Sequence, residues 1–368
     1  LIPTNLVPAT NDLGSIEIIT NELATIIYTS GTTGNPKGVM LSHDNIISNM
    51  ENINERFSDA EVTTSLNVLP WAHIYSLTCE LYYNLTYDNT TYISSGKEEF
   101  IKECREVSPG VIYIVPKVLD VLKHKIEFLD KPIINLLLPQ IISTILGGKL
   151  HTVYMGGAKL DEHTKRFFIE NGMKLCEGYG CTETAPIVSV NHQINPRNTE
   201  SVGKILQNVK VKIINNEIHI AGNNVMKGYW NDKQATDNAL IVDGGQTWYR
   251  TGDSGVVVDD YLFYKGRISD NYKLSNGKFV DVTTVETVVK KYLKHNIIVF
   301  GENQPHNSII SDGEVSEQAI NNINKELEPF LQIKEKITVT PEQMQDFLTP
   351  KMSIKRKKLI QYVTHIIK

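Results

Sequence analysis

The stretch Tyr28-Thr29-Ser30-Gly31-Thr32-Thr33-Gly34-Asn35-Pro36-Lys37-Gly38 says most about the fold. Its three glycines let a backbone bend close to a ligand, and its hydroxyl side chains and Lys37 can hold a polyphosphate. No Gly-Lys-Ser/Thr sequence closes it, so it is not a Walker A loop. A plain surface turn is the alternative. The loop's position between an apolar strand, Ala24 to Tyr28, and a predicted helix, Val39 to Ile53 with Ser42 as N-cap, favours the phosphate interpretation.

Composition limits the classes of protein to consider. The chain has 368 residues, 41% of them hydrophobic, which is enough for about two or three domains. Its net charge of −5 argues against non-specific nucleic-acid binding. The basic run from Lys355 to Lys358 is interpreted as a solvated helix end.

Cysteine usage and hydropathy indicate a reduced, cytoplasmic protein. The four cysteines form no C-x-x-C pair and are expected to be reduced and mostly buried. The most apolar stretch, Ile133 to Leu146, is shorter than the ~20 residues that a membrane helix needs. We expect a buried segment there, and peripheral membrane contact stays an alternative. The first residue is Leu, which suggests a processed, truncated or partial product. The oligomeric state cannot be predicted from these features.

The order of elements predicts an α/β fold. Apolar segments such as Val111 to Val115 and Leu150 to Met155 alternate with helical patterns, which indicates βα units. From Val202 to Phe263 the pattern becomes that of a β-rich subdomain. A boundary is expected near Gly266 to Asp270, followed by a hairpin turn at Ser275-Asn276-Gly277. The prediction is a large domain, residues 1–268, and a small mobile α+β domain, residues 269–368, with helices at Thr284 to Leu293 and Ser316 to Leu327.

Further motifs follow the glycine-rich loop in a fixed order. They are Leu69-Pro70-Trp71-Ala72-His73, Gly156-Gly157-Ala158, Gly178-Tyr179-Gly180-Cys181-Thr182-Glu183-Thr184, Asn224-Val225-Met226-Lys227-Gly228-Tyr229-Trp230, Trp248-Tyr249-Arg250-Thr251-Gly252-Asp253, Gly266-Arg267 and Tyr272-Lys273-Leu274-Ser275-Asn276-Gly277-Lys278. Together these motifs resemble the adenylate-forming (AMP-binding) superfamily of acyl-CoA synthetases, luciferases and peptide-synthetase adenylation domains. The Pro-Trp-Ala-His wording is typical of long-chain fatty acid–CoA ligases.

The resemblance implies a role for each matched residue. The ATP phosphates would be held by Thr29, Ser30, Gly31, Thr32, Thr33, Gly34 and Lys37. The adenine would lie against Gly156, Gly157, Ala158, Gly178, Tyr179, Gly180 and Thr182. Asp253 would accept hydrogen bonds from the ribose, and Arg267 would support the ribose or a phosphate. Thr32 and Glu183 would bind Mg²⁺, and His73 would border the acyl pocket and the metal site. Glu183 as a surface carboxylate, Tyr179 as core packing and His73 as a structural histidine are the plainer alternatives.

The implied chemistry is the joining of a fatty acid, or another carboxylic acid, to AMP and then to coenzyme A. The carboxylate attacks the α-phosphorus of ATP, and pyrophosphate leaves. The C-terminal domain then rotates about a hinge after Arg267, and the thiol of coenzyme A attacks the acyl carbon.

Three features depart from the family pattern. Only 27 residues precede Tyr28, where the family has a longer region. Ser269 stands at the hinge position, which usually holds Asp or Lys. Ser353 stands at the position of the adenylation lysine, so Lys351 or Lys355 would have to replace it. These departures keep open a second interpretation, a catalytically impaired pseudoenzyme that binds nucleotide or acyl-adenylate.

Overall fold

The computed structural model of the protein describes residues 19–29, 36–57, 63–96, 98–127, 137–158, 160–192, 198–349 and 353–366. The strands in these ranges are β1 Leu23–Thr29, β2 Lys37–Ser42, β3 Thr64–Asn67, β4 Thr90–Ile93, β5 Val111–Ile114, β6 Thr152–Met155, β7 Leu175–Gly180, β8 Ile187–Val190, β9 Lys204–Ile205, β10 Lys210–Ile214, β11 Glu217–Ala221, β12 Gly228–Tyr229, β13 Leu240–Asp243, β14 Gln246–Val258, β15 Tyr261–Arg267, β16 Tyr272–Lys273, β17 Phe279–Val280, β18 Ile297–Phe300, β19 Asn307–Ser311 and β20 Ile333–Thr338.

The helices connect these strands. They are α1 His43–Arg56, α2 at 74–86, α3 Phe100–Val107, α4 Pro116–Glu127, α5 Leu138–Ile145, α6 Glu162–Glu170, α7 Lys233–Ala239, α8 Val282–Tyr292, α9 Glu317–Glu326, α10 Pro341–Asp346 and α11 Arg356–Ile366. Helix α2 consists of a π-helical turn, Leu77–Tyr82, between the short α-helical segments Ile74–Ser76 and Tyr83–Thr86. Two 3₁₀ turns, Thr182–Thr184 and Ile268–Asp270, complete the set in the described ranges.

One large mixed sheet dominates the first 267 residues. Its order is β10-β11-β14-β15-β9-β8-β7-β6-β5-β3-β4, with β13 beside β14. Strands β4, β3, β5, β6 and β7 run parallel, and from β8 onward the pairs are antiparallel. The α/β class, the βα units and the β-rich segment that the sequence predicts are all confirmed. Both kinds of strand belong to one continuous sheet, because β7 pairs with β8.

The helix predicted from Val39 to Ile53 is partly wrong. Residues Lys37–Ser42 form β2, which pairs with β1 on one side and β12 on the other. Val39 and Leu41 are fully buried, so the apolar period in this segment is that of a strand. Helix α1 begins at His43, and Ser42 is its N-cap, as predicted. The Ser42 Oγ accepts from the Asn45 N–H at 3.3 Å, and the Asn45 Oδ1 accepts from the Ser42 N–H at 2.8 Å.

The prediction of a buried segment from Ile133 to Leu146 is also partly wrong for the part that the structure describes. Helix α5 is amphipathic: Ile142 and Leu146 are buried, whereas the side chain of Leu137, just before the helix, is half exposed. The high apolar content suggested burial on all sides, whereas helix α5 packs on the core with one face only. Among the described residues, no helix is both long enough and apolar enough to cross a membrane.

Residues from Tyr272 onward form separate sheets and separate hydrophobic clusters. Strands β16 and β17 make a hairpin, and Gly277 in its turn has a φ of +80°, as the predicted Ser275-Asn276-Gly277 turn requires. Strands β18, β19 and β20 form a second sheet. The Arg356 guanidinium, at the start of α11, donates to Glu286 Oε1 at 2.6 Å and to the Val299 carbonyl at 2.7 Å.

The four cysteines form no disulfide. Cys79, Cys104 and Cys176 are buried and Cys181 is half-buried. Burial raises the pKa of Cys104 to about 12, so this thiol stays protonated at neutral pH. The prediction of reduced and mostly buried thiols agrees with this arrangement.

Buried asparagines fasten helix α1 to strand β8 of the main sheet and to the loop between β11 and β12. The Asn49 amide donates to the Ile187 carbonyl at 2.7 Å and accepts from the Ile187 N–H at 3.2 Å. The Asn45 amide donates to the carbonyls of Asn223 and Val225 at 2.7 and 2.9 Å. Buried backbone groups need such partners away from water.

We expect Asn49→Ala to lower the free energy of unfolding by about 1–3 kcal/mol, because it leaves the buried Ile187 N–H without its side-chain partner and the Ile187 carbonyl with only the longer bond from Asn224 at 3.4 Å. Glu51→Ala, on the exposed face of the same helix, is the matched control and should change it by less than about 0.5 kcal/mol. Urea titration measures both. Equal effects of the two substitutions would contradict the anchoring role.

Candidate functional site

The glycine-rich loop connects two antiparallel strands. Thr29 at the end of β1 and Lys37 at the start of β2 are register partners, so the loop closes a β-hairpin, and β2 lies between it and the helix. The predicted site residues Ser30, Gly31, Thr32, Thr33 and Gly34 lie outside the described residues. Thr29 and Lys37 are therefore the two ends from which the loop starts and to which it returns.

Tyr229 brings Lys37 and Glu183 together. The Lys37 Nζ lies 4.9 Å from the centroid of the Tyr229 ring, a cation–π distance. The Tyr229 hydroxyl donates to Glu183 Oε1 at 2.8 Å. Burial, with the Glu183 charge as the second cause, raises the pKa of Tyr229, so its hydroxyl remains a donor. The sequence pointed to Lys37 and Glu183 separately, but it gave Tyr229 no role.

The role of Tyr229 cannot be predicted from the sequence, because it depends on the pairing of β12 with β2. Tyr229 is register partner of Val39, and the short strand β12 is separated from β2 by nearly 200 residues of chain. Glu183 is held in the same place by its backbone, because its carbonyl accepts from the Met226 N–H at 2.9 Å. No local pattern reveals that these segments meet.

A second group of predicted residues gathers around Asp253. The Tyr179 hydroxyl donates to Asp253 Oδ2 at 2.7 Å. The Arg267 Nε lies 3.0 Å from Asp253 Oδ1 as an ion pair, although Oδ1 receives no hydrogen bond from the described residues. Arg267 also donates to the Thr251 carbonyl at 2.8 Å. Burial raises the pKa of Asp253, and the Arg267 charge opposes that shift.

The predicted adenine residues lie at one edge of the sheet. Gly156-Gly157-Ala158 directly follows β6, and Gly180 ends β7, which is parallel to β6. Ligands of α/β proteins bind outside the carboxyl ends of such strands. Gly157 has a φ of +83°, which favours glycine. Thr182, in the 3₁₀ turn that carries Glu183, is buried.

An apolar pocket lies beside β7. It encloses about 430 Å³ of unfilled space, including its open mouth. Cys176 and Gly178 of β7 contribute to its wall, and Tyr179, between Gly178 and Gly180, points to the opposite face, where it meets Asp253. The full lining is Ile53, Phe57, Tyr75, Cys79, Tyr83, Tyr113, Tyr154, Met155, Cys176, Gly178, Ile187 and Val190.

His73 lies next to this pocket in the chain. It precedes α2, and its N–H donates to the Pro70 carbonyl at 3.1 Å. The Ser76 hydroxyl lies 2.6 Å from the same Pro70 carbonyl. Tyr75, two residues after His73, is in the pocket wall. His73 therefore sits on a tightly bonded turn at the start of the helix that lines the pocket.

Among the described residues, no contact joins the predicted lysine positions to this site. Lys351 lies outside the described residues. The Lys355 Nζ donates to the Asp346 carbonyl at 3.4 Å. The Ser353 N–H donates to Thr349 Oγ1 at 3.1 Å, and the Ser353 carbonyl accepts from the Thr349 N–H at 2.8 Å. All of these partners belong to the C-terminal region.

The side chains present are compatible with Mg²⁺ bound together with a nucleotide. Within the described ranges, no three His, Cys, Asp or Glu residues form a metal-binding group. Mg²⁺ commonly uses one or two carboxylates and completes its shell with phosphates and water. Glu183 supplies one half-buried carboxylate beside the end of the glycine-rich loop, so the donor set suits this kind of shared site.

Removing the Arg267 charge should destabilise the protein more at high pH than at low pH. The folded pKa of Asp253 is already raised, so its ionisation costs stability as pH rises through that pKa. Without Arg267 the pKa rises further, and the loss grows. We expect Arg267→Gln to lower the free energy of unfolding by about 1–2 kcal/mol at pH 8, a value limited by solvent screening, and by less at pH 4.

Urea titrations from pH 4 to pH 8 measure this difference, with an Asp253→Asn background as the control. In that background the pH dependence of the Arg267→Gln effect should shrink to the part that comes from Asp270, whose raised pKa the Arg267 charge also lowers. A pH-independent effect in the otherwise unchanged protein would contradict the coupling between Arg267 and Asp253.

Comparison with known proteins places the chain in a family. It is 27% identical to the probable acyl-activating enzyme 16 of Arabidopsis thaliana, over 80% of this chain and 52% of that protein. It is 25% identical to the long-chain-fatty-acid–CoA ligase heimdall of Drosophila melanogaster, over 79% of this chain and 50% of that protein. The chain thus spans about half the length of these curated relatives.

Among solved structures, the fold is shared with the O-succinylbenzoate coenzyme A synthetase of Bacillus subtilis in complex with ATP and magnesium. The TM-score is 0.74 at 21% identity, over 93% of this chain and 70% of that one. Residues 11–230 match the AMP-binding enzyme family. Because that match covers more than half of the sequence and contains the glycine-rich loop, Glu183 and Tyr229, the chain belongs to the AMP-binding enzyme family.

Proposed function

We propose that the chain activates a carboxylic acid with ATP and transfers the acyl group to coenzyme A, as an AMP-forming acid–CoA ligase. One observation carries the proposal: β7 separates an apolar pocket on one face from the Tyr179–Asp253 hydrogen bond on the other. The strand then leads directly into the turn that carries Glu183. An acid in the pocket and a nucleotide beside Asp253 would meet at the end of this strand.

The proposed roles follow from the geometry of each side chain. The Asp253 carboxylate, held by Tyr179 and Arg267, would accept hydrogen bonds from the ribose hydroxyls. Lys37 would neutralise phosphate charge, and Tyr229 would hold the Glu183 carboxylate in position. Bound Mg²⁺, held by Glu183 and Thr32 with the phosphates of ATP, would supply further positive charge to the phosphoryl oxygens. The attacking carboxylate forms a bond to the α-phosphorus as pyrophosphate leaves.

The second half of the reaction would use the C-terminal region. We propose two domains, residues 1–268 and 269–368. Their separate hydrophobic clusters support this division, because the clusters built from Tyr272 onward contain no residue from before the boundary. Rotation about the Ile268–Asp270 turn would exchange the surface presented to the acyl-adenylate. The thiol of coenzyme A would then attack the acyl carbon, and AMP would leave.

The proposed substrate is a long-chain fatty acid. The wall of the pocket is mostly apolar, with tyrosine rings at Tyr75, Tyr113 and Tyr154, and the Pro-Trp-Ala-His sequence is typical of long-chain ligases. The Drosophila relative is named for that activity, whereas the structural relative from Bacillus subtilis is named for an aryl acid. A comparison of acids therefore decides the substrate class.

Pyrophosphate release and acyl-CoA formation should be measured with acetate, octanoate, palmitate and 4-coumarate. Highest kcat/KM with palmitate is the expected result. A preference for 4-coumarate or acetate would keep the ligase assignment and overturn the long-chain assignment. Absence of pyrophosphate release with every acid would overturn the ligase assignment itself.

Filling the pocket supplies a matched test of where the acid binds. We expect Cys79→Phe to raise the KM for the preferred acid about tenfold, equivalent to about 1.4 kcal/mol, because it adds a ring to the wall. Affinity for ATP, measured by calorimetry, should stay the same. Val121→Phe, on the exposed face of α4, is the control. An unchanged KM in a folded Cys79→Phe protein would place the acid elsewhere.

The position of Ser353 favours a second candidate, a binding protein without the adenylation step. A serine is neutral and too short to act as a lysine does at the α-phosphate. If Lys351 or Lys355 substitutes for it, Lys351→Ala or Lys355→Ala should lower pyrophosphate release strongly. Formation of acyl-CoA from supplied acyl-AMP should hardly change. If neither variant has an effect and Ser353→Lys creates pyrophosphate release, the native chain lacks adenylation.

A further inference from the structure

Glu80 is a fully buried carboxyl group that the proposed chemistry does not use. Its residue exposure is 0%, and it lies in the π-helical turn Leu77–Tyr82, next to Cys79 of the pocket wall. Single π-helical turns are frequent at functional sites. Burial of an ionisable group costs free energy unless nearby donors compensate it, so its surroundings need an explanation.

Hydrogen-bond donors from the preceding strand and loop converge on this carboxyl group. Asn67, the last residue of β3, donates its amide to Glu80 Oε2 at 2.5 Å and to the Leu69 carbonyl at 2.9 Å. Burial raises the pKa of Glu80 to about 7, and the hydrogen-bond donors Asn67, Trp71 and Ser65 oppose that shift. These donors favour the carboxylate form, which predominates above about pH 7.

Two buried polar atoms remain unsatisfied in this cluster. Among the described residues, neither Glu80 Oε1 nor the Trp71 Nε1–H group has a hydrogen-bond partner of good geometry, although the indole is near enough to lower the pKa of Glu80. One is an acceptor and the other a donor. A small side-chain adjustment would pair them and remove the cost of two buried orphan atoms.

We propose that Glu80 is a positioning residue that fastens the Asn67–His73 loop to the wall of the acid pocket by accepting from both Asn67 and Trp71. Trp71 and His73 belong to the same short loop, and Cys79 and Glu80 are consecutive residues of the same helical turn. Through Glu80, the segment that carries His73 and the helix that lines the pocket therefore move as one unit. This role rests on the proposed acid site, and it predicts an effect on the acid rather than on the nucleotide.

The requirement for a carboxylate can be tested because glutamine has the same shape but only one acceptor oxygen. The Asn67 amide and the Trp71 indole are both donors, so Glu80→Gln leaves one of them facing an NH₂ group. We expect Glu80→Gln to lower kcat/KM for the acid about tenfold or more, as small displacements near reacting groups do. ATP affinity by calorimetry should stay within about twofold, since no donor in this cluster belongs to the nucleotide residues.

Trp71→Phe provides the second variant, since it keeps the carboxylate and removes its donor. Its effect and that of Glu80→Gln should be non-additive, with the double variant no worse than the poorer single one. Glu51→Gln, an exposed carboxylate on α1, is the control. Additive effects, or losses of activity that only follow the melting temperature with KM unchanged, would overturn the positioning role.

A readout without turnover separates this proposal from the ligase assignment. Trp71 emission can be recorded in a Trp230→Phe/Trp248→Phe background, together with calorimetric binding of decanoate. Glu80→Gln should shift the Trp71 emission and weaken decanoate binding, even if the unsubstituted protein releases no pyrophosphate with any acid. Unchanged emission and unchanged decanoate affinity would overturn the role of Glu80, whatever the outcome of the activity measurements.

Discussion

The close pairing of β7 with β8 at Gly180 is the constraint on which the rest of the site depends. A Cβ atom at Gly180 would lie 1.8 Å from the Pro186 carbonyl oxygen, and that oxygen accepts from the Cys181 N–H at 3.1 Å. Any larger residue would separate the strands. The parallel and antiparallel parts of the main sheet meet at this pair, so both the pocket wall and the turn that carries Glu183 are positioned by it.

Each of three carboxyl groups near β7 has a hydrogen-bond donor or a cation beside it. Asp253 is accompanied by Tyr179 and Arg267, Glu183 by Tyr229, and Glu80 by Asn67. Because an uncompensated buried charge costs several kcal/mol, these donors are part of each site rather than additions to it. Several of these donors are neutral hydroxyl or amide groups.

The fold class and the order of motifs could be predicted because they depend on local patterns. Ser42 was identified as an N-cap from its position before an apolar period, and Gly277 from its turn sequence. Strand β2 could not be separated from the helix that follows it, since its burial comes from pairing with β1 and β12. Tyr229 and Glu80 were missed for a related reason: their partners, Glu183 and Asn67, come from other segments, and only the tertiary arrangement joins them. The Leu137–Leu146 segment shows the opposite error, in which apolar composition overstated burial.

The burial of the native thiols has a practical consequence for studying this chain. The thiolate is the form that reacts with alkylating reagents, and burial raises the pKa values of Cys79, Cys104 and Cys181. At neutral pH the folded protein therefore presents little reactive sulfur, and slow labelling reports transient opening of the structure. A single cysteine placed on an exposed position of the C-terminal region would react much faster with such reagents than the native thiols do. That contrast makes the chain well suited to spectroscopic distance measurements with attached probes.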